Sequence, residues 1–492
     1  MLKWWFNEEM LPLRNGSLLA NALLVAIGAS AGAGVTMLIT PDRPVVILEK
    51  DDPSSRLPTF DLPSGDSAPG RPRRDAQFDI VTDLQQLTDP RERSIALREA
   101  GAAAARLSPG DAMRQAELLT SEQDKLDFYR GIYGVWGGTD PRAALDHAKS
   151  NFMAGLLRAE TIGIAVNKWG SKDPRGAWLW VEQHLSGPLK DQALTDLVIG
   201  WSRQTPTVAA KWLESTGYYS QPLFNAVATT WAEQNPQAAY QWAANLPKLD
   251  ARNTAVIGII GEHARQNPAE AAKLYTPELT GSNGLNIAAT IADIWGTTDP
   301  SAAAAWIRGL ADGPAKREAA ATLATVWAAT DINSAIDWTN SMTDSQMRRQ
   351  VIAQIGTTWG AIEPDKALNW LRTMPAADAS GGIIGAYNSW AATDAEGLAD
   401  WINSNPSSSA MDQPRLSLAD VTASQDIPAA MDLALSLSTA AGRDQAVVRY
   451  YREWRKVDND SAQDWLAQNL NSLPASTQQR IALEQVRPVV FR

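Results

Sequence analysis

Three histidines are the only imidazoles in this 492-residue chain, and it has no cysteine. Disulfides, thiolate metal sites and cysteine nucleophiles are therefore excluded together. His147, His184 and His263 lie far apart in sequence. No second histidine stands four residues from any of them and no carboxylate cluster accompanies them, so neither a metal-binding helix nor an oriented general base is spelled out. No phosphate-cradling glycine loop and no G-x-S-x-G nucleophile turn is present. The carboxylates recur at a fixed interval instead. An active residue is needed once, so recurrence in every unit points to a structural duty. No catalytic residue, metal or cofactor is assigned, and the chain is expected not to be an enzyme.

Binding chemistry has more candidates. Tryptophan is the compositional outlier, with 20 residues. Seventeen of them fall into the periodic frame described next, which leaves Trp4, Trp5 and Trp178 outside it. Trp178 is the better candidate for an exposed aromatic. Basic side chains at Arg348 and Arg349, and at Arg449, Arg452 and Arg455, are candidates for meeting an acidic partner, and solvated helix faces explain them equally well. The formal net charge of −11 argues against a broad basic face for nucleic acid or anionic lipid.

The elements that position these residues follow from self-similarity. Marker tryptophans stand at Trp136, Trp169, Trp201, Trp231, Trp295, Trp327, Trp359, Trp390 and Trp454, with His263 and Thr422 filling two gaps, at steps of 30 to 33 residues. Four residues after each marker comes a helix N-cap candidate, from Asp140 and Asp173 through Asp299 to Asp458, with Glu363 the one poor cap. Proline often follows, as at Pro141, Pro174, Pro300 and Pro364. That is the first helical position, where a missing N–H costs nothing. A small residue stands eight after the marker, from Ala144 to Ala462, with Leu398 the exception. A second aromatic stands eleven after it: Trp180, Trp212, Trp242, Trp306, Trp338, Trp370, Trp401 and Trp465, with His147 in the same slot. An i, i+3 pair shares one helical face. The marker thus ends one helix, a tight turn follows, and a second helix starts at the cap. Ala104, Ser108, Pro109 and Ala112 match as a degenerate opening unit ahead of eleven repeats. The tryptophans read as packing elements, since each hairpin must bury a face against its neighbours. Truncating one to alanine should cost about 3–5 kcal/mol.

The segments WGTTDPSAAAAW (Trp295–Trp306) and WAEQNPQAAYQW (Trp231–Trp242) typify the unit. It resembles the tetratricopeptide-like solenoids in architecture, over roughly residues 100–470. The resemblance implies an all-α, right-handed solenoid of about 11–12 helical hairpins with a concave groove. The proline opens the second helix here instead of closing it, so no binding residue is carried over from that superfamily.

Ahead of the repeats, residues 17–40 form a run of 24 residues without a charge. As a helix it would be roughly 36 Å long, enough for one bilayer crossing. A signal peptide cleaved near Ala31 is the alternative reading. Small residues at Ala22, Ala26, Ser30 and Gly34 suit a homodimer through this helix, or are simply common residues in a weakly apolar segment. Residues 1–16 form a short tail and residues 41–75 a Pro/Ser/Asp-rich linker. The repeats are assigned to 76–475 and a C-terminal tail to 476–492. A catalytic domain beyond Trp465 would need more than the 27 residues that follow. The expected function is a scaffold or adaptor for protein or peptide partners in a bacterial envelope complex. It would be tethered in the inner membrane with its repeats in the periplasm. Cytoplasmic repeats or a secreted form are the alternatives for location. An accessory factor holding glycan for cell-wall or exopolysaccharide machinery is the alternative for function.

Overall fold

The computed structural model describes residues 89–485 apart from 153–154, 217–219, 282 and 406–408. The expected membrane helix, the linker and the start of the repeats at residue 76 lie outside the described residues, as does Val486 onward. Among the described residues no helix is long and apolar enough to cross a membrane. These residues hold 25 α-helices, three short 3-10 turns and no strand. The chain divides into two compact units, whose described parts are residues 89–266 and 267–485.

Long and short helices alternate along the sequence. Pro314–Thr330 is followed by Ile332–Asn340, and Ser345–Ile362 by Pro364–Arg372. The junction between them explains the spacing of the motif. In Trp295–Asp299, the Asp299 N–H donates to the Trp295 carbonyl oxygen at 2.8 Å and so closes the long helix. The Asp299 side chain accepts from the Ala302 N–H at 2.9 Å and so opens the short one. One residue, held at φ −147° and ψ 82°, is both the end of one helix and the cap of the next. The same side-chain bond forms at Asp140, Asp173, Asn235, Asn267, Asp331, Asp394, Asp426 and Asp458. Ser108 makes it in the opening unit, which folds as a full hairpin of Pro90–Leu107 and Pro109–Ala116. Glu363 makes no such bond, because its longer side chain turns back to accept from the Trp359 indole N–H at 3.1 Å.

The short helices bury a narrow stripe. The residue eight after each marker is essentially inaccessible in every hairpin, Leu398 included. So is the residue twelve after it in most: Ala148, Val181, Leu213, Ala243, Tyr275, Ile307, Thr339, Leu371 and Ala434. These two positions are i and i+4, one above the other on the helix surface. Complementary positions on the long helices, such as Ile132, Leu197, Ile291, Leu323 and Ile355, complete the core. Fully burying each of these leucines and isoleucines stabilises the fold by about 1.5–3 kcal/mol.

Within each unit, long helices pack side by side, as Pro90–Leu107 does on Glu122–Thr139 and Ser345–Ile362 on Ala376–Thr393. Short helices pack on the long helices before and after them and make few close backbone approaches to one another. The long-helix layer is therefore tighter than the short-helix layer. Glycine permits close crossings in both units: a Cβ on Gly131 would run into the Arg98 carbonyl oxygen, and one on Gly356 would lie 2.6 Å from that of Gly382.

Beyond the last short helix, Ala475–Gln485 packs on Ala440–Val457, so helix continues past residue 475, where the sequence suggested a tail. Thr477 and Ile481, again i and i+4, are its buried positions. Its marker slot falls on Val486, so no tryptophan announces it.

Candidate functional site

The tryptophans come first, because they are the obvious ligand platform. Within a hairpin the two indoles touch. Ring centroids are 5.7 Å apart for Trp327 with Trp338, 5.2 Å for Trp201 with Trp212 and 6.0 Å for Trp359 with Trp370. None of the seventeen framed tryptophans is exposed: seven are buried and ten half-buried. The second tryptophan lies beside the core stripe and reaches toward the preceding short helix. Its indole N–H donates to Asp146 from Trp180 at 3.3 Å, to Glu214 from Trp242 at 2.6 Å and to Thr276 from Trp306 at 3.2 Å. Each acceptor belongs to the hairpin before. The second tryptophan therefore fills the space between splayed short helices and ties them together with a polar bond, which suits a large ring with one donor.

Trp178 is half-buried, and its ring meets the Trp212 ring edge-on at 4.3 Å. It stands out of frame yet fills the same wedge, so it is not an isolated exposed aromatic. His147 takes the second-tryptophan slot as the sequence suggested. It sits 5.4 Å from the Trp136 ring, with its Nδ1 2.8 Å from the Tyr133 hydroxyl. Burial holds its imidazole below the ordinary histidine range. His263 is buried in a marker slot, and His184 stacks on Trp180 at 4.8 Å. Among the described residues, no group of three or more His, Asp or Glu side chains is placed to hold a metal ion.

The charged side chains sit mainly on and between the long helices. Arg348 lies 3.1 Å and Arg349 3.8 Å from Asp378 on the following long helix. Arg93 pairs with Asp124 in the same register, eleven before one marker and twelve before the next. A second register recurs in the opening hairpins. Arg98 reaches Asp127 at 2.9 Å, and one hairpin later Arg130 reaches Glu160 at 2.8 Å; each arginine stands six before its marker and each acid nine before the next. Near the C-terminal end, Arg449 pairs with Asp420, which also accepts from the Tyr450 hydroxyl at 2.6 Å. Arg452 is exposed on the same helix and is engaged as well, and Arg455 donates to Asn459 at 3.2 Å. The structure thus puts Arg348, Arg349 and Arg449 into contacts between neighbouring long helices. It does not gather the sequence-derived candidates into one site.

Two open grooves mark the surface of residues 89–266. One, of about 350 Å³, lies between the starts of Gly187–Gln204 and Gln221–Ala232, lined by Asp191, Gln192, Thr195 and Ser220. The other, of about 580 Å³, runs across three successive long helices, Pro90–Leu107, Glu122–Thr139 and Leu156–Gly170. Sequence reasoning missed this second groove, because its lining residues come from three hairpins. The available signal was a glycine pair, Gly131 and Gly134, inside a helix. No family model matches this chain, and no curated protein matches it in sequence.

Proposed function

We propose that this chain is a tetratricopeptide-like, right-handed helical-repeat scaffold, tethered to the bacterial inner membrane through residues 17–40. In this reading its repeats stand in the periplasm, where they hold protein or peptide partners. The observation that carries the reading is the division of labour between the two helical layers. The tryptophans are consumed in packing among the hairpins, while the long-helix layer carries the ion pairs of Arg93, Arg98, Arg130, Arg348 and Arg449 and two open grooves. Extended, open surfaces of this kind suit polypeptide ligands. A glycan platform would need indole faces and N–H groups turned outward, whereas Trp180, Trp242 and Trp306 donate internally.

Crosslinking of the full chain in cells, followed by mass spectrometry, tests the reading. Recovery of the same envelope proteins from crosslinks placed on the long-helix layer is expected. Recovery of glycan fragments alone, or of no protein, would contradict it. For the topology, an alkaline phosphatase fused after Arg492 should be active. An inactive fusion would put the repeats in the cytosol.

A further inference from the structure

The groove across the first three hairpins has a floor that packing does not explain. Gly131 and Gly134 lie on one face of Glu122–Thr139 and line the groove. Gly131 is needed for the helix crossing, because a Cβ there would lie 2.7 Å from the Ala102 nitrogen. Gly134 is different: a Cβ there would meet nothing within 4 Å. Glycine weakens a helix interior relative to alanine, and no neighbour requires it here. What its absent side chain preserves is open space above the helix.

Cations rim that space. Arg98, Arg106, Arg130 and Lys168 line the groove, against one lining carboxylate, Glu99. Two further acids, Asp127 and Glu160, are occupied. Asp127 is almost fully buried and accepts from Arg98, Arg130 and Gln123, and Glu160 holds Arg130 through two bonds. They fix the guanidinium groups of Arg98 and Arg130 from below. Arg106 and Lys168 are exposed and make no ion pair among the described residues. With Arg98 and Arg130 paired, the surplus positive charge of the groove rests on Arg106 and Lys168, a local exception on a chain of net charge −11 that favours an anion. Its length across three helices and its open top suit an extended chain.

We propose that this groove binds an acidic stretch of an extended polypeptide, whose backbone passes over Gly134 while its carboxylates meet Arg98, Arg106 and Lys168. The proposal rests on the scaffold reading and names the partner class for it.

The test uses the full chain and a short fluorescein-labelled oligoglutamate, with an uncharged Gly-Ser peptide as control, read by fluorescence anisotropy. Oligoglutamate should bind in preference to the control, and binding should weaken as salt rises. The double variant Arg106→Glu, Lys168→Glu should bind about tenfold more weakly or worse, as expected when rim charges are reversed. Gly134→Leu should abolish binding at an unchanged or higher melting temperature, since its side chain enters open space and glycine is lost from the helix. Equal binding of the two peptides, or unchanged oligoglutamate binding in both variants, would overturn the proposal. If Gly134→Leu retains the partners crosslinked by the wild-type chain in cells, the groove assignment fails while the scaffold reading stands. If neither protein crosslinks to any polypeptide, the scaffold reading fails as well.

Discussion

Residues 89–266 and residues 267–485 use the same hairpin but join their long helices differently. In the first region, ion pairs and amides bridge successive long helices: Arg93 with Asp124, Arg98 with Asp127, Arg130 with Glu160, and Asn167 donating to the Asp196 carbonyl oxygen at 2.8 Å. In the second, Arg348, Arg349 and Arg449 bridge the later long helices, but among the described residues no ion pair joins Gly284–Thr298, Pro314–Thr330 and Ser345–Ile362, whose core around Leu323 and Ile355 is rich in alanine. Glycine makes close crossings in both, as Gly131 does against Arg98 and Gly356 against Gly382. Polar bridges add charge at the surface beside such a crossing, and alanine contacts add none. The contrast teaches that one repeat can vary its interaction surface through the long helix while the cap, the alanine and the tryptophan pair keep the hairpin constant.

Tryptophan truncation probes what the two regions share, and it should have the largest effect. Trp201→Ala in the first region and Trp327→Ala in the second, both buried, should each cost about 3–5 kcal/mol. Hydrogen exchange resolved by peptide is the suitable measurement, because unfolding in repeat arrays can be local. A loss confined to the mutated hairpin and its neighbours is expected in both regions. Trp465→Ala, at a half-buried site, should cost less, about 1–3 kcal/mol.

Gly360→Leu attacks the second region alone. Its side chain would meet the Ala386 backbone, and overpacking of this kind costs about 1–3 kcal/mol or more. Gly134→Ala on the groove floor of the first region, which is not a crossing position, should instead stabilise by about 1 kcal/mol, because only the helix propensity changes. Opposite signs in thermal melts would sharpen the comparison, and equal signs would break it.

Arg130→Met should destabilise the first region by about 1–3 kcal/mol, since it leaves buried Asp127 and half-buried Glu160 without their main donor. Acid has a related, gentler effect there. Burial pushes the Asp127 carboxyl up, but hydrogen bonds from Arg130, Gln123, Arg98 and Ser94 outweigh it and hold the group below the ordinary 3.8. Its contribution is therefore fully present above that value and fades as pH falls below it. Exchange protection of the first two long helices, Pro90–Leu107 and Glu122–Thr139, read along a pH series, should drop earlier than that of residues 345–393.

Much of the hairpin was legible in the sequence because it is local chemistry. A cap four residues after the marker, a proline one further and an alanine at eight each act on backbone within a turn of themselves. The position twelve after the marker was not legible. Ala, Val, Leu, Ile, Tyr and Thr all serve there, since burial asks only for a side chain that fits. Gly356 meeting Gly382, and Arg93 meeting Asp124, are tertiary contacts some thirty residues apart, at positions that no single hairpin marks. The tryptophans were half legible. Their periodicity showed that they pack, but ten of the seventeen keep a partly exposed edge because they fill wedges between short helices.

The paired tryptophans are the internal joints of the array, and the proposed partner binding is assigned to the long-helix layer. Iodide quenching of tryptophan fluorescence tests this in the full chain with Trp4→Phe and Trp5→Phe. Emission should be blue-shifted and quenched several-fold less than free indole, and an added acidic peptide should leave it unchanged. Quenching as efficient as that of free indole, or strong protection on adding an oligosaccharide, would contradict the account.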